Sequence, residues 1–316
     1  MRITTLYLLL FAFFTSATLS AQNASSYYRK IASEQRKIRS KQINYYKTAL
    51  LQPDEKRMDK GRDMIVTQIQ TSLKNMSRTP AYQGDSALRN DYVRILNTYL
   101  EAYTEAYDSV KVMKANAGKS AADLVRYRET IYFMEGLVDD AEADWEANEE
   151  YFTNSYNVNR MDDPTLAELK TLRYLSDYVQ ELRGTYSGLP FQLQEILNEV
   201  KQKKYNNLED RRQELGLAVD QALLNAGRVG TFIDQEEDED DFLLNATLRY
   251  LDEIKIATDD DMAGILTELD EAIYDEDDKK IERAAFKLEE LLADLIETEV
   301  DLNDRTEKFV GHYVKD

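Results

Sequence analysis

Side chains that commonly carry catalysis or bind metals are scarce in this sequence. His312 is the only histidine, and there is no cysteine. A single histidine excludes the paired Glu-x-x-His motifs of di-iron bundles and the HExxH zinc site, and the chain has no GxSxG, P-loop or GxGxxG motif. Because a metal site needs several converging donors, His312 is interpreted as a surface or helix-end residue. We therefore expect no catalytic residue, no cofactor and no enzymatic activity.

Acidic runs are the second possible source of chemistry. They occupy Asp234 to Asp241, Asp259 to Asp261 and Asp275 to Asp278. None has the EF-hand spacing with its central Gly and terminal Glu, so we interpret them as solvated loops and helix N-termini rather than metal sites. The alternative is a divalent-cation site. Its candidate ligands are Asp234, Glu236, Asp238 and Asp240.

The segment between Tyr27 and Lys47 has the opposite charge, with seven Lys and Arg side chains against Glu34 alone. In a chain with a formal net charge of −20, this asymmetry has two explanations. The helix docks against acidic faces of its own bundle, or it contacts an anionic component of the cell envelope. The predicted basic surface consists of Arg29, Lys30, Arg36, Lys37, Arg39 and Lys41.

Polar side chains recur at fixed spacings in the two halves of the chain. Repeated apolar residues follow from packing alone, whereas repeated Arg and Asn indicate a shared polar role. That role is either structural, in ion pairs and helix ends, or the binding of a ligand. The Asn75/Asn225 pair belongs to this set, and the candidate binding residues are Arg62, Arg78, Asn90, Arg94, Arg212, Arg228, Asn245 and Arg249.

The segments that carry these residues are predicted to be helices. Gly and Pro are scarce, and apolar residues recur with helical period almost everywhere. In the first half, helices are predicted from about 25 to 50, from Asp54 to about 79, after Asp85, and from Ser120 onward. Four helices with short connections predict one antiparallel bundle.

The second half repeats this plan. At an offset of 150 residues Ile65, Ile69 and Leu73 match Leu215, Val219 and Leu223, and at an offset of 157 Phe152 and Tyr156 match Phe309 and Tyr313. We predict an all-α fold of two tandem antiparallel bundles from an internal duplication, covering residues 22–158 and 164–316. Gly184, Gly188 and Pro190 are expected to break the first helix of the second bundle. The rival architecture is one elongated bundle with a shared core.

Residues 1–21 have the pattern of a cleaved signal peptide. Arg2 is followed by an apolar run and then by small residues up to Ala21. We therefore expect export to the periplasm or cell surface and no transmembrane helix after cleavage. Without Cys the chain has neither disulfides nor a lipid-bearing thiol. The strong negative charge argues against nucleic-acid binding.

Three segments resemble a known group of proteins. They are the signal ending Ser20-Ala21-Gln22, the basic segment YYRKIASEQRKIRSKQ and the stretch WEANEEYFTNSYNV from Trp145 to Val158. Together they resemble uncharacterised helical surface or periplasmic proteins exported by Gram-negative bacteria. Many of those proteins look like lipoproteins, whereas this chain lacks the lipid-bearing Cys. The resemblance implies an envelope location and no known activity.

The leading functional hypothesis is an exported, non-enzymatic helical protein that acts through contacts with an envelope protein or an anionic envelope component. The alternative hypothesis is a protein that binds a small ligand or a divalent cation, in the groove between the bundles or at the acidic loops.

Overall fold

The computed structural model describes residues 2–51, 54–233 and 239–314, with side chains from residue 24 onward. The structure is mostly helical, which confirms the predicted all-α class. By backbone contacts the chain divides into two compact units. The first unit contains Met1–Asn116 and Val125–Lys170, and the second contains Ala117–Leu124 and Thr171–Asp316.

The helices of the first part of the chain follow the predicted breaks. Asp54 caps the second helix, where its Oδ1 accepts a hydrogen bond of 2.9 Å from the backbone N–H of Arg57. The elements are α1 (Arg2–Leu51), α2 (Glu55–Ser77), α3 (Ala87–Glu101), a π-helical turn (Ala102–Ala106), α4 (Tyr107–Ala117) and α5 (Ala121–Tyr156).

The second part repeats this order, with its first helix broken in two. Pro164 occupies the first helical position, as expected for a residue without an N–H, and the predicted break follows Tyr186. The elements are α6 (Pro164–Tyr186), α7 (Leu189–Lys201), α8 (Leu208–Val229), β1 (Phe232–Ile233), β2 (Glu239–Asp240), α9 (Phe242–Ile256), a π-helical turn (Ala257–Met262), α10 (Ala263–Tyr274) and α11 (Asp278–Tyr313).

The division between the units lies inside α6, after Lys170, whereas the sequence placed it before Pro164. The first turns of α6 are tied to the first unit by ion pairs. Glu168 pairs with Lys47 of α1 at 3.1 Å, and Lys170 pairs with Glu146 of α5 at 2.7 Å. These contacts explain why the backbone of residues 164–170 groups with the first unit.

The cores of the two units differ in chemistry. The first is rich in aromatic side chains, and Trp145 and Tyr92 meet edge to face inside it with ring centroids 5.1 Å apart. The second is mainly aliphatic, with Leu215, Leu251 and Leu292 fully buried. Polar atoms are therefore concentrated in the core of the first unit.

Each unit contains a π-helical turn that periodicity did not predict. Ala102 begins the first turn and Ala257 begins the second, 155 residues later. A π-turn adds a residue without ending the apolar stripe, so the sequence pattern still reads as one helix. The sequence therefore predicted one helix where the structure has α3 with α4, and one where it has α9 with α10.

α1 extends without a break through Ala21, the predicted cleavage point. The side chains of residues 2–23 lie outside the described part, so signal cleavage stays a prediction. Among the described residues, no helix combines the length and apolar character that a bilayer crossing demands.

Candidate functional site

A buried ionic cluster lies in the first unit between α1, α5 and the start of α6. Arg39 of α1 is 2 % exposed. Its Nε and Nη2 donate to Glu142 Oε2 at 3.0 and 2.6 Å, and its Nη1 donates to Asp163 Oδ2 at 2.8 Å. One guanidinium thus binds two carboxylates that stand in different elements.

Neutral side chains complete this cluster. Gln35 Nε2 donates to Tyr99 Oη and to Glu142 Oε1, both at 2.8 Å, and the Tyr99 hydroxyl also donates to Glu142 Oε1. About two turns after Gln35 on α1, Gln42 Nε2 donates to Tyr103 Oη at 3.3 Å. Glu142 therefore receives hydrogen bonds from α1 and α3 at once.

Electrostatics favour the charged forms of Arg39 and Asp163. Burial alone lowers the pKa of Arg39, but the carboxylates of Glu142 and Asp163 outweigh it and raise that pKa. Burial raises the pKa of Asp163, and hydrogen bonds from Thr165 and Arg39 outweigh it and lower that pKa. The arrangement resembles a structural clamp, because the charges satisfy one another.

Further hydrogen bonds hold the segment between α5 and α6. Tyr28 Oη donates to Glu149 Oε1 at 2.5 Å and accepts from the Met161 N–H at 2.8 Å. Arg160 Nη2 donates to the Glu146 carbonyl at 3.1 Å. Asp163 Oδ1 accepts from the Thr165 N–H at 3.1 Å, in the first turn of α6. The connection is held at several points along its length.

Replacing Asp163 with Asn should weaken the first unit in a pH-dependent way. The pKa of Asp163 is lowered by folding, so its stabilisation is complete above the pKa of about 4 of an unfolded Asp and is lost as the pH falls through the lower folded value. The difference in urea midpoint between wild type and D163N should therefore be largest near pH 7 and shrink below pH ~4. A difference that stays constant with pH would contradict the role given to this carboxylate.

The predicted basic surface is largely engaged within the first unit. Arg39 is a correction, because it is buried in the ionic cluster instead of lying on the surface. Arg36 Nε lies 3.2 Å from Asp163 Oδ1, and Lys37 Nζ lies 2.6 Å from Glu34 Oε1. Arg29 and Lys30 are exposed. Lys41 lines an open groove of about 330 Å³ beside α2.

The candidate polar residues of the first unit mostly make local contacts. Arg62 lies over the Tyr107 ring at 5.0 Å and pairs with Asp108 at 3.6 Å. Arg78 is the C-cap of α2, and Asn90 Nδ2 donates to Ser86 Oγ at 3.0 Å. Arg94 pairs with Asp144 at 2.5 Å on the surface. These four residues are not brought together into one site.

Their counterparts in the second unit are similarly dispersed. Arg212 Nη1 donates to the Thr258 carbonyl at 3.2 Å, and its ion pair with Glu209 lowers the pKa of that carboxyl to about 2. Arg228 lies exposed in the last turn of α8, and Asn245 is exposed on α9. Arg249 pairs with Glu253 at 3.0 Å beside a cavity of about 60 Å³, which is small for a ligand pocket.

The acidic runs have helix-end and ion-pair roles where they are described. Asp234, Glu236 and Asp238 lie outside the described residues, while Asp240 Oδ2 accepts from Tyr313 Oη at 2.8 Å. Asp277 caps α11 through the N–H groups of two following lysines. Within residues 24–51, 54–233 and 239–314, no group of three or more acidic, His or Cys side chains converges as metal ligands do.

A hairpin with similar contacts follows α2 in the first unit and α8 in the second. In the first unit Tyr82 bridges Asp85, and Asp85 accepts hydrogen bonds from Tyr156 Oη at 2.7 Å and the Ala87 N–H at 2.7 Å. In the second, Phe232 pairs with Asp240, which accepts from Tyr313 Oη at 2.8 Å and the Phe242 N–H at 2.8 Å. Phe152 and Phe309 pack on these hairpins.

Two exposed leucines form an apolar stripe on α8 of the second unit. Leu217 is 72 % exposed and Leu224 is 52 % exposed. Seven residues are about two helical turns, so both side chains lie on one side of α8. At the matching positions of α2, 150 residues earlier, the first unit has Thr67 and Lys74. The shared helical plan therefore does not require leucine at these two positions.

Sequence reasoning predicted neither the buried ionic cluster nor the exposed leucines of α8. Glu142 was one carboxylate among many, and Gln35 and Tyr99 have no distinctive spacing. The available signal was the position of Arg39 on the apolar side of α1, one turn after Gln35. Leu217 and Leu224 were not singled out, although the 150-residue comparison places the polar residues Thr67 and Lys74 at the matching positions.

Comparison of the chain with protein-family models, with curated proteins and with solved structures finds no match in any of the three.

Proposed function

We propose that this chain is an exported, non-enzymatic helical protein of the periplasm or cell surface that acts by binding protein. The observation that carries the proposal is the exposed pair Leu217 and Leu224 on α8. Exposure of large apolar side chains to water is unfavourable, and burying them in a protein contact lowers the free energy.

We also propose that the two halves arose by tandem duplication. The matching hairpins at Asp85 and Asp240 and the π-turns 155 residues apart support this origin, because they preserve contacts and not only apolar spacing. The halves then differ in use. Buried charges stabilise the first, while α8 of the second carries the contact surface.

The basic opening helix contributes less to this proposal than its charge first indicated. Arg36, Lys37 and Arg39 pair with carboxylates of the same unit, and Lys47 pairs with Glu168. A side chain already paired in the fold gains little from a second anion. Contact with an anionic envelope component would rest on Arg29, Lys30 and Lys41.

Export should remove residues 1–21 when the full chain is expressed in a Gram-negative host. Intact-mass measurement of the purified protein should give a chain that begins at Gln22, and fractionation should recover it outside the cytoplasm. An unprocessed chain confined to the cytoplasm would contradict the proposed location.

Protein capture should depend on the α8 stripe. Crosslinking in envelope extract is compared for wild type, the variant L217T/L224K, which installs the residues of α2, and R29E/K30E as a control for the basic helix. We expect the double α8 variant to lose capture and R29E/K30E to retain it. Loss in R29E/K30E alone would move the contact to α1.

A further inference from the structure

We propose that the partner of the α8 stripe is a second copy of this chain, with the two α8 helices packed antiparallel about a two-fold axis. This inference rests on the proposed function, since it uses the same surface. The axis passes between Asp220 and Gln221. Leu217 of each copy therefore lies against Leu224 of the other copy. Such an isologous contact uses one patch twice.

Charge along α8 favours this arrangement. Asp210 and Glu214 lie exposed before the two leucines, and Arg228 lies exposed after them. Reversing one helix about the midpoint brings Arg228 beside the partner's Gln213 and Glu214, and symmetry forms that contact twice. Glu214 lies 3.2 Å from Arg211 of its own helix, so Arg228 joins an existing ion pair as a second cation. A parallel arrangement would instead place Arg228 beside the partner's Arg228, which is repulsive.

The centre of the contact carries little unpaired charge. Asp220 is the acidic residue nearest the axis, and Lys255 Nζ of α9 lies 2.5 Å from its Oδ1. Gln221 is neutral and exposed, and its amide donates to Asn225 Oδ1 at 2.9 Å on the same helix. The two copies therefore meet through leucine and amide groups, with opposite charges at the ends of the contact.

The small area of the contact predicts a weak dimer. One helix face of about four turns buries less than the ~1,200 Å² of a standard protein interface, so the dimer should be weak. We expect a Kd on the order of 10 to 100 µM, so the dimer forms when the protein is concentrated, in solution or at a membrane. The net charge of −20 should also make association stronger as salt screens long-range repulsion.

Sedimentation equilibrium of the full purified chain tests the proposal. Wild type should show a monomer–dimer equilibrium, and L217T/L224K should raise the Kd more than about tenfold. The matched control Phe286→Glu changes an exposed aromatic residue of α11 to the residue found 157 positions earlier, and it should leave the Kd unchanged. Circular dichroism verifies that each variant is folded.

Charge exchange tests the antiparallel geometry independently of the leucines. E214R and R228E should each weaken the dimer severalfold, and the double variant E214R/R228E should restore it, because each new Glu meets the partner's new Arg. Failure of the double variant to restore association would overturn the antiparallel arrangement.

The outcomes separate this proposal from the proposed function. A chain that stays monomeric, but captures another protein in a manner lost in L217T/L224K, overturns the second copy and leaves the binding function standing. A monomer whose captures are all insensitive to L217T/L224K overturns both. A dimer that persists in L217T/L224K overturns α8 as its interface.

Discussion

The variant Arg39→Met should destabilise the first unit by about 3 to 5 kcal/mol, because it leaves the buried carboxylate of Glu142 without its cation, whereas Asp163 keeps its ion pair with Arg36. Trp145 is the only tryptophan of the chain and is 1 % exposed inside that unit. Its fluorescence during urea unfolding therefore reports the unit that carries the ionic cluster. We expect a lower midpoint with a similar slope.

Arg94 provides the matched control for this experiment. It also pairs with an acidic side chain of α5, Asp144, but the two side chains are 57 % and 44 % exposed. Exposed pairs of this kind contribute about 0 to 1 kcal/mol. Arg94→Met should therefore leave the Trp145 transition almost unchanged, and equal effects of R39M and R94M would contradict the importance of burial.

A second test removes both partners of the buried pair. The variant R39M/E142L replaces opposite charges with apolar side chains of similar volume, which restores part or all of the stability lost in R39M. Asp163 keeps its hydrogen bonds from Thr165 in this variant. If R39M/E142L is less stable than R39M, the cost does not arise from an unpaired buried carboxylate.

Truncation of the phenylalanine behind either hairpin should have an effect of similar size. Phe152 and Phe309 are both buried, and each packs edge to face on the aromatic residue of its hairpin, Tyr82 or Phe232. Removal of a buried aromatic ring costs about 3 to 5 kcal/mol through lost transfer energy and the remaining cavity. We expect this loss for Phe152→Ala and for Phe309→Ala.

Hydrogen exchange resolved by peptide locates these two effects. F152A should increase exchange in the hairpin around Asp85, and F309A in the strands around Asp240. Tyr151→Ala is the control, because this neighbouring aromatic side chain is exposed and its removal should leave both regions protected. An effect of Y151A as large as that of F152A would argue against packing as the cause.

Helix positions were accessible from the sequence because helical order depends on local chemistry. Asp54 was expected at the start of α2, and it caps that helix. The break expected from Gly188 and Pro190 separates α6 from α7. Each prediction depends on residues within one turn of the boundary.

The hairpins show where local reasoning stops. Tyr82 and Phe232 also stand 150 residues apart, but their pairing with Asp85 and Asp240 was not predicted. Each of these aspartates accepts a hydrogen bond from the hydroxyl of a tyrosine, Tyr156 or Tyr313, that lies more than 70 positions away in the sequence. No local spacing encodes such a contact.

The sequence by itself determined the helical class of the described chain, its helix ends and the recurrence of one pattern in both halves, since these follow from propensity, capping and period. Tertiary structure decided which charges are buried and which apolar residues are exposed. Arg39 belongs to a segment predicted to be a basic surface and lies in the core, whereas the apolar side chain of Leu217 lies in solvent. Burial depends on which helices pack against a given face, and that choice is made by contacts distant in sequence.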